Sequence, residues 1–244
     1  MTSSIGGKIS VIYKGVDISK YQGNIDWEKA YKEIDFAIIR AGCGFNNDSH
    51  AKQNLYDCNR LNIPVGVYWF SYAFSEAEAK REAEMCYNLI KDYKIEYPVY
   101  FDFEEISADY ATANKVTVNK EFVSKIAKAF CNSMENKGYF AGIYSNENMF
   151  RFFDDEVLNL YTLWYANWNG ENKHKAKLWQ YSNKGKISGV QGVVDLNYCY
   201  ENFPDIIRKA SLNNLGKVSI TEIRQYLEKI NNLLERGERN GFRP

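Results

Sequence analysis

The chain has 244 residues, enough for one barrel-sized domain with a full core. Its 31 basic and 31 acidic residues cancel, so charge gives no case for nucleic acid or an anionic membrane as partner. Two histidines and five scattered cysteines without zinc-ligand spacing argue against a metal site, and no cofactor is implied.

In chain order, Met1-Thr2-Ser3-Ser4-Ile5-Gly6-Gly7 lacks the apolar core of a secretory signal, and residues 1–13 are expected to be a flexible lead. No apolar run reaches the length of a membrane helix. The expectation is a protein made in the cytoplasm without a signal peptide. Short apolar runs follow at Gly15–Ile18, Phe36–Ala41, Val65–Phe70, Val99–Phe103, Phe140–Tyr144, Leu163–Ala166, Leu178–Gln180 and Val193–Leu196. Helical patterns around Trp27–Ile34, Ala51–Leu61, Glu76–Tyr93 and Lys120–Lys137 separate the early ones. Alternating strand and helix implies a parallel sheet, and about eight strands at this length imply a barrel. Spacing from Leu163 to Asp195 is too tight for full helices. The expected fold is therefore α/β, an irregular (β/α) TIM-like barrel over residues 14–204 with reduced helices near its last strands.

Residues 205–244 are expected to form a helical extension or linker. Ser219-Ile220-Thr221-Glu222 fits a capping box, and Ile220, Ile223, Leu227, Ile230 and Leu234 recur at helical spacing. Packing on the barrel is the expected use of that stripe. A weak dimer through it is the alternative to a monomer.

Chemistry concentrates at Phe101-Asp102-Phe103-Glu104-Glu105, which ends a strand-like run. Alternation puts Val99, Phe101 and Phe103 on one face and Tyr100, Asp102 and Glu104 on the other. Two carboxyls held close in a shielded place split their pKa values, which suits acid-assisted cleavage of a glycosidic bond. Asp17 and Asp195 sit in similar strand-end contexts, where a lone aspartate is more often a cap or turn former. Arg40 interrupts an apolar strand and is expected to be a structural ion-pair partner in the barrel floor, with Asp17 or Asp102 opposite. Most of the 19 Tyr, 14 Phe and 5 Trp are expected in the core, Trp69 and Trp179 among them. Tyrosine and tryptophan also stack on sugar rings.

Several segments together resemble the family 25 glycoside hydrolases, the Chalaropsis-type lysozymes. They are Gly15-Val16-Asp17-Ile18-Ser19, Tyr21-Gln22-Gly23-Asn24-Ile25-Asp26-Trp27, Phe36–Gly42, Gly66-Val67-Tyr68-Trp69-Phe70-Ser71-Tyr72-Ala73 and Asp102-Phe103-Glu104. Gly142-Ile143-Tyr144-Ser145-Asn146, Trp164-Tyr165-Ala166-Asn167-Trp168, Leu178-Trp179-Gln180-Tyr181 and Val194-Asp195-Leu196-Asn197 continue the series in family order. One departure is Tyr68-Trp69-Phe70, where many members have Tyr-His-Phe. The resemblance implies a muramidase that cuts the β-1,4 bond between N-acetylmuramic acid and N-acetylglucosamine in bacterial peptidoglycan, acting on the wall after release. It makes Glu104 the general acid and Asp102 its catalytic partner, with Asp17 and Asp195 as supporting acids. Tyr68, Tyr144, Tyr165 and Trp168 would lie near the sugar, and the reaction would be retaining, assisted by the substrate's acetamido group or, as the alternative, through direct attack by a carboxylate. A glycan-binding barrel without catalysis, or a hydrolase of another N-acetylated linkage, would carry many of the same residues.

Overall fold

The computed structural model describes residues 2–5 and 8–215, together with Leu227 and Ile230. Eleven strands run β1 (Thr2–Ile5), β2 (Lys8–Val11), β3 (Tyr13–Ile18), β4 (Phe36–Cys43), β5 (Asn46–Asn47), β6 (Val65–Phe70), β7 (Val99–Asp102), β8 (Ala141–Asn146), β9 (Thr162–Ala166), β10 (Leu178–Gly185) and β11 (Val194–Cys199). The helices are α1 (Trp27–Ala30), α2 (Ala51–Arg60), α3 (Glu76–Ile90), α4 (Glu105–Ala113), α5 (Lys120–Glu135), α6 (Glu147–Phe150), α7 (Asp155–Leu160) and α8 (Phe203–Lys209).

Strands β3, β4, β6, β7, β8, β9, β10 and β11 close into a barrel, because β3 pairs with both β4 and β11. Seven of the strands are parallel. The last, β11, runs antiparallel to β10 and β3. The irregular (β/α) barrel expected from the sequence is thus present, with one strand reversed. No helix separates β9 from β10 or β10 from β11: β10 and β11 are antiparallel and need only a hairpin connection, while the parallel step from β9 to β10 is made by irregular chain between Ala166 and Leu178.

Strand parity divides the core into two layers. Val16, Ala37, Ile39, Val67, Trp69, Val99, Phe101 and Ile143 point outward and meet the helices. Helix α5 answers with Val123, Ile126, Ala127, Phe130 and Met134, a stripe at three- and four-residue spacing. Inside the barrel, Phe36, Ile38, Tyr97, Tyr100, Tyr144, Trp164 and Leu178 form a second cluster. These large rings fit because facing positions are glycine: a Cβ on Gly142 would lie 2.6 Å from the Tyr100 ring, and one on Gly15 would lie 2.4 Å from Phe36. The inner cluster fills the lower part of the barrel, and the carboxyls gather at its mouth.

Two terminal expectations change. Residues 2–5 and 8–11 form an antiparallel ladder where a flexible lead is expected. The packed unit also continues past residue 204: Phe203, Ile207, Leu212 and Leu215 join the inner cluster from below, and the Asn213 side chain donates to the carbonyls of Ile95 and Tyr97, both at 3.1 Å. Most of the expected C-terminal stripe lies outside the described residues. No helix among the described residues is long and apolar enough to cross a membrane.

Candidate active site

A cleft of about 190 Å³ opens at the C-terminal ends of the parallel strands, lined by Asp17, Arg40, Tyr68, Asp102, Glu104, Tyr144, Gln180 and Asp195 among others. Every carboxyl singled out from the sequence faces it. Asp102 ends β7 and is 2% exposed, while Phe101 and Phe103 pack outward as a stacked pair 6.2 Å apart. The chain then turns into α4, and Glu104 caps it: its backbone N–H donates to Ser107 Oγ at 3.2 Å. That helix, which the sequence reading did not anticipate, holds Glu104 at the mouth two residues beyond Asp102.

Asp195 reaches the same mouth by a different route from the one expected. It lies near the start of β11, and only because β11 is antiparallel does its beginning lie where the other strands end. It sits directly opposite Asp17 in the β3–β11 ladder, and the two carboxyls are within hydrogen-bonding reach. Asp17 Oδ2 accepts from Asn197 Nδ2 at 2.7 Å and from Gln180 Nε2 at 2.8 Å. Burial, then the charge of Asp195, raises the Asp17 pKa well above the carboxylate range, against those two hydrogen bonds. Burial pushes Asp195 up to about 6, while its hydrogen bond with Asp17 opposes the rise. Burial and the facing charge thus favour the protonated form of Asp17 more strongly than that of Asp195.

Burial first, then the neighbouring charge of Glu105, lifts Glu104 to about 7, with the nearby Tyr144 hydroxyl pulling the other way. Asp102 is raised well above its ordinary value by burial, then by Glu104 and Asp17, and Arg40 offsets part of this. Its Oδ1 is buried without a hydrogen-bond partner.

Arg40 is ion-paired, but with neither expected partner. Its Nε and Nη2 both contact Asp48 Oδ2 at 2.8 Å. Asp48 follows the β4–β5 turn, which folds the chain back onto the strand that carries Arg40. The carboxylate also accepts the backbone N–H groups of Lys20 and His50. Arg40 forms cleft wall rather than barrel floor, with its guanidinium 4.9 Å from the centre of the Tyr21 ring.

Among the aromatics, Tyr68 and Tyr144 line the cleft. Tyr165 does not. Register sets Trp164 level with Tyr144 and Tyr165 level with Ser145, so alternation turns Tyr165 outward onto Phe150 and His174. Trp164 is the residue that faces the cleft. Trp168 stands past β9, 48% exposed, beside a second hollow that shares Glu104. Its Nε1 donates to Gln180 Oε1 at 2.9 Å, and Tyr144 OH donates to the same oxygen at 3.2 Å. Gln180 thereby joins Asp17, Tyr144 and Trp168, a role the sequence reading missed although its inward parity was available. Trp69, the departure from the family pattern, is fully buried on the outer face with Nε1 bonded to Gly44 O at 3.0 Å, so that change touches packing and not the cleft.

Residues 16–190 match the description of glycosyl hydrolases family 25. The chain belongs to that family. An autolytic lysozyme of Clostridium acetobutylicum is 24% identical over 92% of this chain and 66% of its own length. The modular autolysin LytC of Streptococcus pneumoniae shares the fold with a TM-score of 0.68 and 28% identity, over 82% of this chain and 52% of LytC. A family 25 glycosyl hydrolase from Bacillus anthracis gives a TM-score of 0.67 and 26% identity, over 80% of this chain and 92% of that one. The chain therefore spans between half and two thirds of the two autolysins.

Proposed function

We propose that this chain is a peptidoglycan hydrolase that cleaves the β-1,4 bond between N-acetylmuramic acid and N-acetylglucosamine, with the barrel as its catalytic unit and the bacterial wall as its target. The observation that carries this reading is the pairing of a buried Asp102, whose Oδ1 lacks a partner, with a mouth-side Glu104 whose pKa stands at about 7. A glycosidic oxygen must take a proton as its bond breaks, and a carboxylic acid that titrates near neutrality can give one and take it back. Glu104 is that acid.

Asp102 suits the second demand, which is stabilising the positive charge at the anomeric carbon. An N-acetylated sugar brings its own nucleophile, the acetamido oxygen. When that oxygen attacks C1, the C1–O bond to the leaving sugar breaks and Glu104 protonates the departing oxygen. The acetamido N–H becomes acidic in the cyclic intermediate and needs an acceptor, which the free Oδ1 of Asp102 supplies. Water then opens the ring with Glu104 as base, and configuration is retained. Asp17 and Asp195 set the electrostatics around Glu104, while Tyr68, Tyr144, Trp164 and Trp168 bound the sugar. The C. acetobutylicum relative is named an autolytic lysozyme, and LytC has been solved with a synthetic peptidoglycan ligand; both support the substrate class.

The test is a digest of purified Gram-positive peptidoglycan by wild type and Glu104→Gln, with new reducing ends reduced by borohydride and identified after acid hydrolysis. Muramicitol from wild type and almost none from the variant is expected. Glucosaminitol would keep the acid chemistry and overturn the linkage. Bound glycan with no reducing ends from either protein would leave a sugar-binding barrel.

A further inference from the structure

The cleft does not end at its acids. Phe70, the last residue of β6 and level with Asp102, lines it. Beyond Phe70 a wall of rings leads outward: Tyr72 lies 5.4 Å from Phe70 between ring centres, and Tyr110 of α4 lies 4.9 Å from Tyr72. Tyr110 is 43% exposed, and Ile106 one turn earlier on the same helix face is more exposed still. In barrel order this wall flanks β7 on the side away from Trp168.

The segment bearing Tyr72 is fixed with unusual completeness. Four consecutive backbone N–H groups are bound: Ser71 to Asp102 O at 2.8 Å, Tyr72 to Glu82 Oε1 at 2.9 Å, Ala73 to Ser71 Oγ at 3.1 Å and Phe74 to Glu78 Oε2 at 2.9 Å. Glu82 is fully buried, and its other oxygen accepts from Ser71 Oγ at 2.6 Å. On the far side, Gly44 leaves the space the Tyr72 ring fills, since a Cβ there would lie 3.0 Å from Tyr72 Cδ2. A buried carboxyl with no basic partner is costly, and here it holds an aromatic loop rigid at the edge of a cleft. Rigid presentation lowers the ordering cost of binding.

We infer that the Phe70–Tyr72–Tyr110 wall is a distal glycan subsite, which takes N-acetylated sugars of the same strand remote from the scissile bond. This rests on the peptidoglycan hydrolase reading above. The occupant follows from continuity with the cleft through Phe70. Tyrosine offers the apolar C–H face of a pyranose a ring and its hydroxyls a polar tip.

The experiment compares kcat and KM of the full chain, Tyr110→Ala and Tyr110→Phe on two substrates freed of stem peptide, long glycan strands and a tetrasaccharide. Tyr110→Ala is expected to raise KM on long strands about tenfold at unchanged kcat, the loss of one well-seated aromatic anchor. The tetrasaccharide should change by less than about twofold, and Tyr110→Phe should behave as wild type. Equal losses on both substrates, or no loss on long strands, would overturn the subsite. So would a loss seen only when stem peptides are restored, which would give the wall to the peptide. Wild type inert toward both substrates would instead bring down the hydrolase reading, and the subsite with it.

Discussion

Asp195 faces Asp17 across the antiparallel β3–β11 ladder, a juxtaposition that exists only because the last barrel strand is reversed. A parallel eighth strand would carry Asp195, at its second position, to the closed end of the barrel. Reversal brings a fourth carboxyl to the mouth and places its charge beside both Asp17 and Glu104.

Removing that charge should be read most clearly in a pH profile. Asp195 raises the pKa of Glu104, so Asp195→Asn should move the alkaline limb of kcat/KM to lower pH, because Glu104 loses its proton earlier. Rate at the optimum should fall far less than in Glu104→Gln, where loss of the general acid costs about 10²–10⁴-fold. An alkaline limb that stays put would mean Asp195 does not act through Glu104.

Glu104 also sets a stability cost with a definite sign. Its pKa rises from an ordinary 4.5 to about 7 on folding, so the folded state holds the proton more tightly. Stability is then unaffected below pH 4.5, falls as pH rises from there to 7, and stays lowered above. Glu104→Gln removes a cost on the order of 3 kcal/mol at pH 8 and none at pH 4. Urea denaturation at the two pH values checks this; a variant equally stabilised at both, or at neither, contradicts it.

Strand parity made the centre of this site legible in advance. Once Val99–Phe103 is a strand, Asp102 and Glu104 must share a face, and both line the cleft. The same rule was available for Trp164-Tyr165, but it says only that the two diverge, and register with Tyr144 decides which of them turns inward. Arg40 shows another limit. A buried arginine requires an acid, yet the partner stands eight residues away, beyond a turn that folds back on the strand. The reversed β11 was hidden because a tight spacing fits a vestigial helix as well as a hairpin. Gln180 and Glu82 escaped because their partners lie far off in sequence, at Asp17 and Ser71.

The Arg40–Asp48 pair gives a stability test away from the chemistry. Both side chains are nearly buried, and removal of one partner leaves the other charge uncompensated at a cost of about 3–5 kcal/mol. Asp48→Ala should therefore lower the urea midpoint strongly. Arg40→Met combined with Asp48→Leu should recover much of the loss, since an apolar pair of similar volume escapes desolvation. A double variant no better than Asp48→Ala would show that the backbone N–H groups of Lys20 and His50, bound by the same carboxylate, carry the stability instead.

The free Oδ1 of Asp102 makes the catalytic route testable. Direct attack by a carboxylate and attack by the acetamido oxygen both retain configuration, so product stereochemistry cannot separate them. They differ in what Asp102 does. As a nucleophile it would bond to C1; as an acceptor it would hold the acetamido N–H, and a thiazoline analogue of the cyclised intermediate would resemble its natural guest. Such an analogue should inhibit wild type, and Asp102→Ala should bind it at least about tenfold more weakly, the cost of leaving one buried hydrogen bond unmade. Asp102 is buried and its carboxyl has no other donor at Oδ1, so the loss should appear in thiazoline affinity measured by calorimetry, independently of turnover. A thiazoline that does not bind an active wild-type enzyme removes the assisted route and leaves Asp102 as the nucleophile.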